Sequence, residues 1–299
     1  MENKYRNLVI GVVVGAVLLL WGKEQVYSSQ ILGQNYRYNL VVASSGGEVE
    51  FLSFDPEEKE IVVLDWPRDL MISSRSVGSY KIGDLYKLGS YEGKSGEFTR
   101  QKVQGFMKVP IMSYIELEGE KADYKKGLWR VILQGSKVSS VERLDALLML
   151  LRSAGYVEKR VEKEELTRAG VLTTNERDEY EYQEGRLQQF LGKRVLDWGV
   201  GGEGLGVAVI NKSGIVGLAS DVSSFFGNTG LSVIAVRGDT GQEEDVRVTL
   251  SNELTEEQAG RMQKLLYSWF GWENIVRGDT SEYRAEIVVE LGRSAEDLF

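Results

Sequence analysis

The chain has 299 residues, 42% of them hydrophobic, which suffices for about two domains that each bury a core and argues against disorder. It contains no Cys and no His, so a Cys/His zinc site, a thiol nucleophile and a Ser-His-Asp triad are excluded, and any metal would sit on carboxylates and carbonyls, as Mg²⁺ or Ca²⁺ does. A net charge of −9 with no run of five basic residues speaks against a nucleic-acid partner.

Taken in chain order, Lys4 and Arg6 precede Leu8 to Trp21, fourteen uncharged and mostly apolar residues closed by Gly22-Lys23-Glu24. This charge placement favours an inside amino terminus and an outside body. The run reaches about 21 Å as a helix against a hydrocarbon core of ~30 Å, so Tyr5, Asn7 and Trp21 would lie at the interfaces. A signal peptide cleaved near Val26-Tyr27-Ser28 is the alternative, disfavoured by the charged Lys23-Glu24. We therefore expect a stub and transmembrane anchor over 1–22 and a polar stalk over 23–38. The body would then lie on the extracytoplasmic side of the membrane.

A first domain is expected over 39–197. It opens with a strand, Leu40 to Ala43, and continues with a hairpin. Val49 and Phe51 alternate onto one face, Asp55-Pro56-Glu57-Glu58-Lys59 makes the turn, and Ile61 to Leu64 is continuously apolar, as a strand buried on both faces would be. The second strand runs into Pro67-Arg68-Asp69, which delivers an Arg and an Asp at a strand end, where α/β sheets bind ligands. The Gly- and Ser-rich stretch from Ser73 to Gly96 reads as a loop over a site. A helix is expected over Thr99 to Lys108, a strand over Ile111 to Leu117 after Pro110, and a second strand over Leu128 to Leu133. Ser139 or Ser140 then caps a helix that places Leu144, Leu147, Leu148 and Leu151 at i, i+3, i+4, i+7, with Gly155 as its stop. The charged stretches Val157 to Ala169 and Arg177 to Leu191 read as helices with solvated faces. Trp66, Trp129 and Trp198 read as core or interface residues.

The five glycines from Gly199 to Gly206 read as a flexible spacer, placed at 198–205, because no strand-then-helix context supports a dinucleotide fingerprint. A final domain over 206–293 has the order β-α-β-β-α-β. Its strands are Gly206 to Ile210, Leu231 to Val236, Val246 to Leu250 and Arg284 to Leu291. Its helices are Ile215 to Phe226 and Thr255 to Phe270, the second capped by Thr255 with early acids.

Two segments carry a family resemblance. The hairpin with its acidic, Pro-containing turn ending in Pro67-Arg68-Asp69 resembles the start of the LytR-CpsA-Psr domain of bacterial cell-envelope proteins. Val207 to Ser220, VAVINKSGIVGLAS, is similar to the strand, Asn-Gly-Ser/Thr-Gly and Val-Ala-Gly-Leu-Ala motif of the LytR-type carboxyl domain, with Lys212 where Gly is usual. The resemblance implies an α/β fold: an N-terminal transmembrane helix, a reduced α/β/α domain with a mixed sheet, and a small βαββαβ C-terminal domain. It also implies Mg²⁺-dependent transfer of glycopolymers from a polyprenyl-pyrophosphate carrier to the wall.

The catalytic pattern is incomplete. The first strand ends in Ala43-Ser44-Ser45 where the family has Gly-Thr/Ser-Asp, and Ser45, Gly46, Gly47 and Glu48 stand where it has Arg-Ser-Asp-Thr. What remains is Pro67-Arg68-Asp69, Tyr80-Lys81-Ile82-Gly83, and Thr99 to Tyr114, which resembles the family's helix-Gly-Ile-Pro-Ile-strand segment. The resemblance makes Arg68, Lys81 and Asp69 the phosphate-binding candidates and nominates no catalytic residue or metal ligand. An Arg-Asp pair that merely caps the sheet is the competing reading. The expected function is a non-catalytic module binding a polyprenyl-linked glycan, a wall polymer or an envelope protein. An active Mg²⁺-dependent phosphotransferase and a structural subunit of an envelope assembly are the alternatives.

Overall fold

The computed structural model describes residues 29–31, 36–74, 78–239 and 241–298. The expected anchor, Leu8 to Trp21, lies outside the described residues. Among those described, no helix is long and apolar enough to cross a membrane.

Strands β1 (Tyr38–Ser44), β2 (Val49–Asp55) and β3 (Glu60–Trp66) form an antiparallel meander, as the alternating and continuous apolar runs require. Asp55 pairs with Glu60 across the turn, and its Oδ1 accepts from Glu57 N at 2.9 Å and Glu58 N at 3.0 Å, an aspartate holding its own turn. Then follow β4 (Met71–Ser74), β5 (Gly78–Lys81), α1 (Leu85–Ser90), α2 (Ser95–Met107) and β6 (Ser113–Leu117), the last parallel to β1. The expected site loop therefore contains a short hairpin and a helix. Two helices, α3 (Tyr124–Gln134) and α4 (Arg143–Ser153), lead to β7 (Val157–Val161), which lies parallel to β3 and completes a mixed sheet of order β6-β1-β2-β3-β7. Both faces are covered. Val49, Phe51, Val62 and Leu64 pack with α2 residues Val103 and Met107 on one side. Leu52, Phe54, Ile61 and Val63 pack with Leu128, Val131 and Met149 of α3 and α4 on the other.

Two expectations fail here. Leu128 to Leu133 is helical, because Asp123 caps the segment through Lys126 N and the buried residues Tyr124, Leu128 and Val131 fall at i, i+4, i+7. Val157 to Val161 is an edge strand whose charged side chains face water, and the helix expected there is confined to α5 (Lys163–Arg168). The stretch from Arg177 likewise divides: β8 (Leu172–Thr174) pairs with β9 (Tyr180–Tyr182), and the helix is α6 (Glu184–Gly192).

The end of the expected stalk belongs to the fold. Ser29 and Ile31 are buried, Ser29 Oγ donates to Asp145 Oδ1, and the buried Arg37 pairs with Asp55. The glycine spacer is also structured. It forms α7 (Trp198–Gly201) and a turn, burying Val200 and Leu205 in the second core. A Cβ on Gly230 would lie 2.9 Å from the Gly201 backbone, so this packing depends on glycine.

That core lies under a second mixed sheet, order β11-β10-β14-β12-β13, from β10 (Gly206–Asn211), β11 (Ser232–Gly238), β12 (Arg247–Ser251), β13 (Ile275–Gly278) and β14 (Ile287–Leu291). Helices α8 (Leu218–Asn228) and α9 (Glu256–Phe270) cover one face with Phe225, Phe226, Leu266 and Trp269. Thr255 makes a full capping box with Gln258. Strand β13 extends the expected βαββαβ order by one strand. In the Asn211-Lys212-Ser213-Gly214 turn, Asn211 Oδ1 accepts from Ser213 N at 3.1 Å and its Nδ2 donates to Ile215 O at 2.8 Å, so the Asn of the motif orders the loop.

Candidate functional site

Strand β3 delivers Asp65 and Trp66 to the sheet end, and Pro67 turns the chain, with Leu70 N donating to Pro67 O at 3.0 Å. Arg68 is left exposed beside a cleft of about 390 Å³ that Glu48, Glu50, Asp65, Lys121 and Arg160 also line. Its guanidinium donates to Glu120 O at 2.9 Å, Glu120 Oε2 at 3.3 Å and Glu48 Oε1 at 3.4 Å. Carboxylates thus already face this cation.

Lys81 is placed elsewhere in the register. It pairs with Glu179 at 2.9 Å, and this hydrogen bond, with the charges of Glu179, Asp69 and Asp84, holds its pKa above the ordinary value. Asp69 is half-buried and acts on Lys81 through its charge. The structure therefore groups Arg68 with Glu48 and Glu120, and Lys81 with Glu179 and Asp69. Trp66 is buried, edge-on to Phe106 with ring centroids 5.0 Å apart, whereas Trp129 is exposed. The Trp198 side chain lies outside the described part.

The Ser44–Gly47 turn is closely packed. Ser45 N donates to Leu117 O and Gly46 N to Gly119 O, both at 2.9 Å. A Cβ on Gly46 would lie 2.6 Å from Glu120 Cα. Gly47 has φ +87°, and its Cβ would lie 2.6 Å from Gly83 O, while a Cβ on Gly83 would meet Arg68 O at 2.8 Å. Four backbone segments converge on these glycines, which leaves no room for side chains at positions 46 and 47.

The acids at this cleft do not fit a divalent cation. Glu48 Oε2 accepts from Ala122 N at 3.0 Å while its Oε1 faces Arg68. Glu50, 2% exposed, accepts from Tyr124 N and from Arg160, both at 2.9 Å. Arg160 also holds Asp65 at 2.8 Å. Burial pushes the Glu50 carboxyl up to about 7, with Arg160 pulling the other way, and both its oxygens are already engaged, by Tyr124 N and by Arg160. Among the described residues, no group of three acids is placed to hold a metal.

The Glu50-Arg160-Asp65 cluster was absent from the sequence reading. Strand alternation turns Glu50 away from Val49, but the expected strand over Leu128 to Leu133 and the expected helix over Val157 to Ala169 give it no partner, whereas Tyr124 N of α3 and Arg160 of β7 meet it.

No protein-family model and no curated protein matches the chain. Solved structures are similar at low superposition. TagV from B. subtilis is 11% identical over 52% of this chain and 94% of its own, with a TM-score of 0.37. A transcriptional regulator from Enterococcus faecalis is 10% identical over 66% and 88%, with a TM-score of 0.38. The LytR-CPS2A-psr family protein YwtF (TagT), from B. subtilis and with bound octaprenyl pyrophosphate, is 11% identical over 82% and 95%, with a TM-score of 0.26. At such identity and superposition the likeness carries no functional conclusion.

Proposed function

We propose that this chain is a cell-envelope protein, anchored through residues 8–21, whose first sheet is a reduced LytR-CpsA-Psr-like module that binds a polyprenyl-linked glycan without transferring it. The second sheet, with Val207 to Ser220, is read as a LytR-type carboxyl domain. The sealed Ser44–Gly47 turn supports the absence of transfer, its glycines being clasped by backbone where metal-holding acids would stand, and the exposed Arg68 beside its cleft supports binding. Transfer from a pyrophosphate develops negative charge that a metal and Arg clamps must neutralise. Here Glu48 and Glu50 are engaged by Arg68 and Arg160, and a phosphate at the exposed end of β3 would draw Arg68 away from Glu48 and Glu120.

The full chain in detergent, given a polyprenyl pyrophosphate and Mg²⁺, should bind the lipid and release no product above background. Arg68→Ala should weaken that binding about 10-fold, the loss of one charge-assisted hydrogen bond. Mg²⁺-dependent turnover that Arg68→Ala abolishes would establish a phosphotransferase instead. Binding indifferent to both Arg68→Ala and Lys81→Ala would remove the phosphate site.

A further inference from the structure

We propose that the outer face of α3 and α4 docks on the surface of an anionic lipid bilayer, a proposal that rests on the reading of residues 8–21 as an anchor. Trp129 and Leu133 on α3 are 58% and 76% exposed, and Leu147 and Leu151 on α4 are 41% and 65% exposed. Each pair is spaced i, i+4 on its helix, and the two helices pack side by side. The core-facing positions of the same helices, Leu128, Val131, Ala146 and Met149, are already buried against the sheet. These four large apolar side chains are therefore surplus to the fold, and two neighbouring helices present them together.

The position of the tether identifies the occupant. Ser29 Oγ donates to Asp145 Oδ1 and Gln30 N donates to Asp145 Oδ2 at 2.9 Å, so the chain enters the body on α4 itself. Ile31 follows into the core beneath that helix. From Trp21 to Ser29 is eight residue steps, at most ~28 Å of extended chain. A bilayer that holds residues 8–21 must bring its surface within that reach of the α4 amino terminus. A helix of eleven residues is only about 16 Å long, so the exposed leucines of α4 lie within the same range.

Charge supports the same partner. Residues 121–152 contain seven Lys or Arg (121, 125, 126, 130, 137, 143, 152) and three acids (123, 142, 145), net +4. The whole chain is −9, which leaves −13 for the remainder. Facing acids moderate this patch: Glu158 pairs with Lys125 at 2.8 Å and Glu118 with Arg130 at 3.2 Å. Lys126, Lys137 and Arg143 are exposed around the apolar four. An apolar strip containing a Trp, rimmed by cations on an otherwise acidic body, suits the headgroup region of an anionic membrane and orients the rest of the chain away from it.

The absence of Cys makes the test direct. Leu133→Cys, Leu151→Cys and Tyr91→Cys are each labelled with an environment-sensitive fluorophore in the full chain and reconstituted into phosphatidylglycerol or phosphatidylcholine vesicles carrying headgroup-level quenching lipids. Tyr91 is 75% exposed and follows α1, so it reports a surface away from α3 and α4. Labels at 133 and 151 should be quenched at least ~3-fold more than the label at 91, with the contrast larger in phosphatidylglycerol and reduced by salt. Equal quenching at all three positions in a chain that floats with the vesicles overturns the docking face while leaving the anchor. Shielding that follows protein concentration instead of lipid assigns the face to a second copy and also overturns the proposal. Failure of the full chain to float overturns the anchor and the docking together.

Discussion

At the scale of single residues, Glu50 has the least ordinary environment in the cleft. Its carboxylate is 2% exposed and depends on one guanidinium and one backbone N–H for the water it has lost. Burial raises its pKa from 4.5 to about 7. A carboxyl with a raised folded value holds more protons folded than unfolded between those two pH values. Stability therefore falls as pH rises from about 4.5 to 7, and the penalty stays in place above that range. Glu50→Gln keeps an acceptor for Tyr124 N and cannot ionise. Relative to the Gln variant, the wild-type chain should lose up to about 1.4 kcal/mol of stability per pH unit across this window. Urea midpoints measured at half-unit intervals would show it, and a constant difference between the two proteins would mean that Glu50 does not titrate there.

At the scale of elements, what was legible depended on whether a segment's partners were close in sequence. The β2–β3 hairpin was readable because Asp55 and Pro56 define the turn locally and the register follows from it. The start of α9 was readable for the same reason, because Thr255 and the acids Glu256 and Glu257 all lie within its first turn. Segment α3 was misread because Leu128 to Leu133 is a short apolar run that suits either period, and its helical cap, Asp123, falls before the run. Segment β7 was misread because its strand character comes from pairing with β3 nearly a hundred residues earlier, while its own Glu158, Lys159 and Arg160 suggest a solvated helix. The candidate site inherits both errors, since its central ion cluster joins β2, β3 and β7 beneath α3. That Ser45, Gly46 and Gly47 carry no acid is plain in the sequence, whereas the sealing of the Ser44–Gly47 turn depends on Gly83, Gly119 and Glu120. This turn can be tested directly. Gly47→Ala adds a Cβ at φ +87° and 2.6 Å from Gly83 O, whereas Gly93→Ala adds one at φ +69° with nothing within 4 Å. The Gly93 variant should lose about 1 kcal/mol for its backbone alone, and the Gly47 variant about 3 kcal/mol in the same denaturant titration. Equal losses would mean that the turn has room to relax.

At the scale of the whole molecule, the two sheets are joined by polar contacts gathered around the end of α2. Lys108 caps that helix in the left-handed region at φ 53° and reaches Asp221 of α8 at 2.9 Å and Glu184 of α6. Its carbonyl accepts from Asn228 Nδ2 at 2.8 Å, and one turn earlier Gln104 Nε2 donates to Trp269 O at 3.2 Å. A single lysine, 12% exposed, thus balances two carboxylates from different helices while its backbone carbonyl receives the end of one of them, α8. Removing the ammonium in Lys108→Ala leaves Glu184 and Asp221 facing each other without that cation, at a cost of about 1–3 kcal/mol. Because the loss falls between the sheets and not within either core, it should change the form of unfolding as well as its midpoint. Calorimetry should show one transition for the wild-type chain and two resolved transitions for the variant. Lys59→Ala is the matched control, a lysine with the same φ of 53° but exposed in the β2–β3 turn, and it should leave the transition single. A single transition in Lys108→Ala would mean that the apolar cores, and not this junction, couple the two sheets.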